Sequence, residues 1–167
     1  MYNNNAIVLD ATAFYAGVPF LSSRSSYYTT PQIIDEVKHI KCSIDAVNIL
    51  VGINSVNIIE PSYEYVKRVI YYADRYGEDR LSYADISIVA LALMLKYSTL
   101  ISDDLAVLNL AYILGVKSKA LTNKGNSIKY AIRWIRYCKI CNKEYYGGGM
   151  DECLLCGSRL RKYKRRV

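Results

Sequence analysis

The 167-residue sequence contains one histidine, His39. That excludes a ribonuclease built on a histidine pair serving as acid and base, which needs two imidazoles. His39 has no obvious partner and reads as a surface or core-edge residue. The sequence has neither a glycine-rich phosphate loop nor a dinucleotide fingerprint, so no nucleotide cofactor is expected. Long apolar runs are missing too. The longest, Ile86 to Leu95, covers ten residues and is interrupted by Ser87, whereas a membrane span takes about 20. It reads as a core helix, and no membrane association is expected. Met1-Tyr-Asn-Asn-Asn5 lacks the basic region of a secretory signal, which predicts a soluble, cytoplasmic protein. No internal repeat is visible.

Cysteine is scarce along most of the chain and concentrated near its end. Four of the five cysteines form two pairs, Cys138-Lys-Ile-Cys141 and Cys153-Leu-Leu-Cys156-Gly157, eleven residues apart. A C-x2-C knuckle points two thiolates at one ion, and two knuckles complete a tetrahedral S4 site, so one structural Zn2+ is expected on Cys138, Cys141, Cys153 and Cys156. Two disulfides would suit a secreted module, which the rest of the sequence does not resemble. Cys42 has no partner motif and reads as a small core residue or free thiol.

Charge divides the chain the same way. Residues 1–121 carry 10 Lys and Arg against 12 Asp and Glu, whereas residues 122–167 carry 12 against 3. A mildly acidic domain followed by a small, strongly basic one suggests that the second part holds a polyanion, most simply nucleic acid. Lys139, Lys143, Arg159, Arg161, Lys162, Lys164, Arg165 and Arg166 are the candidate contacts, with Tyr145 and Tyr146 able to stack on bases. A run such as Arg159–Val167 is equally compatible with a solubilising tail, and the neighbouring zinc knuckles favour RNA or DNA.

Alternating strand and helix signals without hairpins predict an α/β fold with a parallel sheet flanked by helices. The wholly apolar run 6–9 predicts a buried strand, and further strands are predicted at 27–29, 56–59, 99–102 and 116–120. Helices are predicted at about 11–16, from Thr30-Pro31 through Ile40, at 43–50, from Pro61-Ser62 to Tyr76 before Gly77, at 82–97 and at 105–114 before Gly115. Residues 123–126 read as a linker and about 127–137 as a helix leading into the cysteine module. The expected division is a domain at 1–122, a linker and connecting helix at 123–136, a ribbon at 137–160 and a basic tail at 161–167.

In open parallel sheets ligands bind at the carboxyl ends of the strands. Asp10, Asp103 and Asp104 fall there, Asp85 lies in the first turn of one helix, and Glu36 lies beside the packed Ile33, Val37 and Ile40 face of another. Each has an ordinary structural reading: Asp85 completes a capping box with Ser82, and Asp103 or Asp104 can cap a helix. Together they would repel one another unless cations neutralised them. One or two Mg2+ or Mn2+ ions suit such oxygen ligands, and a two-ion site is an established way to cleave a phosphodiester. Thr12 and Ser102 could hold the carboxylates from behind.

These residues resemble the PIN-domain nucleases. Val8-Leu-Asp10-Ala-Thr-Ala-Phe14 is similar to the family's first-strand motif, Thr30-Pro31 with Glu36 to the second acidic element, Leu81-Ser-Tyr-Ala-Asp85-Ile-Ser-Ile-Val-Ala-Leu91 to the third, and Leu100-Ile-Ser-Asp103-Asp104 to the last. With the paired knuckles behind it, the whole chain resembles an archaeal member of the NIN-one-binding family, to which Asn109 and Trp134 also point. The resemblance implies a PIN-like sheet with a C-terminal zinc ribbon. It implies Mn2+- or Mg2+-dependent endonucleolytic trimming of the 3′ end of small-subunit (16S) ribosomal RNA, leaving 3′-hydroxyl and 5′-phosphate. It further implies metal ligation by Asp10, Glu36, Asp85 and one or both of Asp103 and Asp104. A hydroxyl residue two before the last acid favours Asp104. Precursor rRNA, the small subunit and a KH-domain assembly factor are the implied partners. Ala11, Leu105 and Leu108 depart from the pattern, and the second knuckle lacks a common proline, without removing a carboxylate or a cysteine.

Two other readings compete. An inert RNA-binding assembly factor need not keep all the carboxylates. A toxin-type PIN ribonuclease would be a single domain acting with a small antitoxin, which leaves the ribbon unexplained.

Overall fold

The computed structural model describes residues 6–20, 26–38, 56–122 and 128–167. The expected helix at 43–50, His39, Cys42 and the linker at 123–126 lie outside these residues. Five three-residue strands, β1 (Ile7–Leu9), β2 (Tyr27–Thr29), β3 (Val56–Ile58), β4 (Thr99–Ile101) and β5 (Lys117–Lys119), form one sheet in the order β3-β2-β1-β4-β5. Every neighbouring pair is parallel. β1 sits at the centre, and Val8 and Leu9 are fully buried. A strand covered on both faces has no polar side to present, hence its wholly apolar sequence. The chain order reverses on either side of β1, so the crevice above the ends of β1 and β4 is the topological switch point where such sheets bind ligands.

Helices α1 (Ala11–Tyr15), α2 (Pro31–Lys38), α3 (Tyr63–Tyr76), α4 (Tyr83–Met94) and α5 (Leu105–Ile113) flank the sheet, with a 3-10 turn at Val18–Phe20. α4 is apolar all round because it is packed all round: Ser87 to Ala92 are all buried, as expected of an interior helix. Its capping box is present, with the Ser82 and Asp85 side chains each accepting from the other's backbone N–H. The helix ends at Met94 rather than Tyr97, which takes a positive φ of 65°. No helix among the described residues is long and apolar enough to cross a membrane.

The C-terminal part differs from expectation in two places. Residues Ile132–Tyr137, expected as the end of a connecting helix, form strand β6. Residues Arg161–Arg166, expected as a basic tail, form strand β8. They pair antiparallel from Ile132↔Arg166 to Tyr137↔Arg161, and β7 (Glu144–Tyr146) joins the other edge of β6. The Ile, Trp and Tyr content of β6 suits a strand. The charges of β8 are tolerable there because two of them are neutralised internally: Lys162 pairs with Asp79 and Arg165 with Glu144.

This three-stranded sheet is seated on the turn between α3 and α4. Gly77 ends α3 in the left-handed conformation (φ 71°). A Cβ at Gly77 would stand 2.7 Å from the Trp134 carbonyl oxygen. Both the backbone conformation and the close approach of β6 therefore require glycine. Gly77→Ala should lower stability by about 2–4 kcal/mol, read from denaturant melts of the zinc-loaded protein; a loss below about 0.5 kcal/mol would show that the two parts do not pack as described.

Candidate active site and metal centre

The sequence carries the chain from β1 into α1 through Asp10, a residue 3% exposed at the switch point. Three donors converge on it. Ala11 N–H donates to Oδ1 at 2.8 Å, and Ser102 Oγ (2.6 Å) and Thr12 Oγ1 (3.2 Å) donate to Oδ2. Both hydroxyls are relays. Ser102 Oγ accepts from Asp104 N–H at 3.0 Å, and Thr12 Oγ1 accepts from Asp103 N–H at 3.1 Å. The end of β1 and the acidic turn after β4 are thereby sewn together through two hydroxyl side chains. The residues expected to orient the carboxylates do hold Asp10.

Three acids share one field. Burial raises the Asp10 carboxyl above its ordinary value, and Asp85 adds to the rise; the three donors pull in the other direction without cancelling it. Glu36 is raised by desolvation and by the charges of Asp10 and Asp85. Tyr15, at the end of α1, is raised by desolvation and then by Glu36 and Asp10. Asp35 is solvated, 73% exposed at its side chain and 3.7 Å from Lys38. α2 and α4, which bring Glu36 and Asp85, are tied by a buried hydrogen bond of 2.9 Å between Thr30 Oγ1 and Ser87 Oγ. Ser87 was visible in the sequence only as the polar break in an apolar run.

Asp103 and Asp104 face different tasks. Asp103 Oδ1 accepts from the backbone N–H of Leu121 (2.8 Å) and Thr122 (3.1 Å), so it fastens the segment after β5. Asp104 caps α5 through Oδ1, which accepts from Ala106 and Val107, and Asp85 Oδ2 takes the Ser82 donors. Among the described residues, Asp104 Oδ2, Asp85 Oδ1 and Asp103 Oδ2 accept no hydrogen bond. Helix capping thus fixes the Asp85 and Asp104 carboxylates by one oxygen each and leaves the other without a donor, a geometry compatible with an oxygen-preferring cation. The carboxylate oxygens are spaced more widely than the cysteine sulfurs. Among the described residues, the four cysteines are the one set of three or more His, Cys, Asp or Glu whose ligand atoms all lie within 4.8 Å.

That cysteine set fits zinc. Cys138 and Cys156 Sγ are 3.6 Å apart, far beyond the ~2.05 Å of a disulfide and close to the ~3.8 Å edge of a tetrahedron with ~2.3 Å Zn–S bonds. Hydroxyl groups surround the sulfurs. Ser158 Oγ lies 3.0 Å from both Cys138 and Cys156, and the Tyr145 phenol 3.2 Å from Cys153. The Tyr145 hydrogen bond brings the Cys153 thiol down to about 6, while the bond to Cys156 holds the Cys141 proton to about 12. A dication bound by all four sulfurs must displace such protons. Tyr145 accordingly faces the cluster and is half-buried, whereas Tyr146 is 59% exposed.

The candidate RNA contacts divide similarly. Lys139, Lys143, Arg159, Arg161, Lys164 and Arg166 are exposed, and Arg166 lies over the Tyr130 ring at 4.2 Å. Lys162 is committed to Asp79 and to the Trp134 ring, and Arg165 to Glu144.

Two outcomes are expected from this geometry. Because folding raises the pKa of Asp10, its contribution to stability is complete below the unfolded value and is lost as pH rises through the folded one. Asp10→Asn should therefore melt above wild type at pH 8 without divalent ions, with the gap closing as pH falls into the ordinary carboxylate range. Equal melting throughout would contradict a desolvated charge. Cys138→Ser should lose the zinc, measured by metal content, and release the β6–β8 sheet while the five-stranded sheet persists. An unchanged amide spectrum of residues 132–166 after chelation would contradict a structural metal.

Comparison with known proteins agrees with this architecture. A family profile described as "PIN domain of ribonuclease" matches residues 7–95. The chain is 37% identical to Endoribonuclease Nob1 of Pyrococcus abyssi over 164 residues, covering 96% of this chain and 94% of that protein. Its identity to Endoribonuclease Nob1 of Methanothermobacter thermautotrophicus is 29%, covering 95% and 93%. Ribonuclease VapC1 of Thermoplasma acidophilum is 29% identical over 109 residues, covering 65% of this chain and 54% of that protein. The Nob1 matches run through the cysteine module as well as the nuclease fold, and on that full-length correspondence the chain belongs to the Nob1 family of PIN-domain endoribonucleases.

Proposed function

We propose that this endoribonuclease cleaves precursor small-subunit rRNA at the 3′ end of the 16S sequence, in the cytoplasm, during ribosome maturation. The observation that carries the reading is the pairing, on one chain, of an under-neutralised carboxylate set at the sheet's switch point with a basic four-cysteine module. A nuclease that only degraded RNA would need the first and not the second. The substrate is the one that the family resemblance implies, and the match to Nob1 endoribonucleases along almost their whole length supports it.

Asp10, Glu36, Asp85 and Asp104 would hold Mn2+ or Mg2+, and Asp103 would support them by fastening residues 121 and 122. When bound, the cations supply an activated water and neutralise the leaving oxygen. Asp10 is held in one orientation by Ser102, Thr12 and the Ala11 N–H, which would orient it as a ligand. Attack of water on phosphorus breaks the P–O3′ bond, leaving a 5′-phosphate and a 3′-hydroxyl that takes up a proton. The ribbon, with its zinc, would hold rRNA beside the cut through the exposed Lys139, Lys143, Tyr146, Arg159, Arg161, Lys164 and Arg166. A KH-domain assembly factor is the protein partner that the family resemblance adds.

The test is cleavage of an RNA spanning the 3′ end of small-subunit rRNA and its downstream spacer, with Mn2+ or with chelator. One metal-dependent cut at the mature end is expected, lost in Asp10→Asn and Asp104→Asn. Ser102→Ala should reduce the rate roughly 10–100-fold, and Asp103→Asn by less than either ligand change. Equal cutting of unrelated RNAs would favour a toxin-type ribonuclease, and tight binding without cleavage on assembled precursor subunits would favour an inert assembly factor.

A further inference from the structure

Where the ribbon meets the nuclease fold, two buried polar side chains form a junction that neither the carboxylate site nor the zinc site uses. Asn109, on α5, is 1% exposed, and Glu78, in the turn after α3, is 8% exposed. Asn109 Nδ2 donates to Glu78 Oε1 at 2.6 Å. The same amide pairs with the backbone of Ile132 in both directions: Nδ2 donates to the carbonyl at 2.9 Å, and the Ile132 N–H donates to Oδ1 at 2.8 Å. β7 covers β6 only from Ile135 onward, so Asn109 takes the place of a missing strand neighbour at Ile132. Desolvation raises the Glu78 carboxyl, and the hydrogen bonds from Asn109 and the Trp134 side chain oppose the rise.

The surrounding contacts point the same way. Asp79 bridges Arg136 on β6 and Lys162 on β8. Asp74 Oδ1 accepts from Gly148 N–H at 2.9 Å, and the Arg133 guanidinium lies 4.6 Å from the Tyr76 ring centre. An apolar patch would hold two surfaces together at several angles. A bidentate amide and a buried carboxylate permit one, and breaking either leaves a desolvated group without a partner. The chain connects this junction directly to the acids. Asn109 lies five residues along α5 from Asp104, about 7.5 Å of helix, and Glu78 lies seven residues before Asp85.

We propose that Glu78 and Asn109 are positioning residues that lock the ribbon in one orientation relative to the carboxylates, so that RNA held on the ribbon presents a fixed phosphodiester to the metal site. The inference rests on the ribbon being the RNA anchor. The lock turns anchoring into measurement: with the two parts joined rigidly, the offset from anchor to cut is set by the protein, and the local concentration of the target bond is high.

The test uses the full zinc-loaded chain and the double variant Glu78→Ala, Asn109→Ala, which leaves no buried charge behind and strips the Ile132 backbone of its amide partner. Amide 15N relaxation should give one rotational correlation time for the two sheets in wild type and two distinct values in the variant. On the long precursor RNA, KM should rise about 10-fold with kcat little changed, and cutting should spread to neighbouring bonds. On a short RNA that carries the cut site alone, the variant should match wild type within about twofold, because the acids are untouched. Independent tumbling of the two sheets in wild type overturns the lock, whether or not the variant folds. Cleavage by the variant at the single wild-type bond with the wild-type KM overturns its role in the reaction. Absence of cleavage on either RNA by wild type would instead count against the proposed function, while the relaxation result still decides the lock.

Discussion

The buried hydrogen bond from Ser102 to Asp10 is the contact on which the site depends. It spans the two central strands of a parallel sheet at the point where the chain order reverses. With Thr12 as its counterpart, it holds a carboxylate in a place where burial works against its charge. The acidic turn after β4 is built onto the same hydroxyls through the backbone N–H groups of Asp103 and Asp104. Removing that hydroxyl would take one of three donors from Asp10 and the acceptor from Asp104 N–H at once. Among the described residues no basic side chain pairs with Asp10, Glu36 or Asp85, whose charges raise one another's carboxyls, and a divalent cation is the simplest group that would relieve that repulsion.

Helix capping and metal binding are not alternatives here. Asp85 and Asp104 each cap a helix through one oxygen while their second oxygen is without a donor among the described residues. The cap fixes the side chain's torsions at no extra cost in ordering when an ion arrives. The capping role of these two aspartates and the metal role proposed for them therefore use different oxygens of one carboxylate.

The ribbon illustrates how charge that looks free in a sequence is spent in a fold. Of the basic residues after 122, Arg136 and Lys162 neutralise Asp79, and Arg165 neutralises Glu144. What stays exposed is a smaller set on the knuckles and the β8 strand. Tyr145, which shares the composition of a stacking residue, serves the sulfur cluster instead. A thiolate cluster concentrates negative charge, and a phenol and a serine hydroxyl beside it disperse that charge without adding a competing ligand.

The nuclease fold was legible because its signals are local. Apolar triplets, an alternation of strand and helix, the Ser82–Asp85 capping box and Gly77 depend on residues within a turn of one another. The metal-ligand spacing of the cysteines is equally local. β6 was not legible: Ala131, Ile132, Trp134 and Ile135 fit a helical stripe as well as a strand, and the partner that decides the matter, β8, lies about 30 residues on and reads as a solvated tail. The roles of Asp103 and Asp104 were undecided for the same kind of reason, since only the packed structure brings residues 121 and 122 onto Asp103. The sequence by itself determined the fold class, the acids at the strand ends and the four-cysteine cluster, all specified by short-range pattern. Tertiary structure decided which oxygens are occupied, which positive charges are free and how Glu78 and Asn109 join the two parts, because each of those depends on contacts between segments that no local pattern connects.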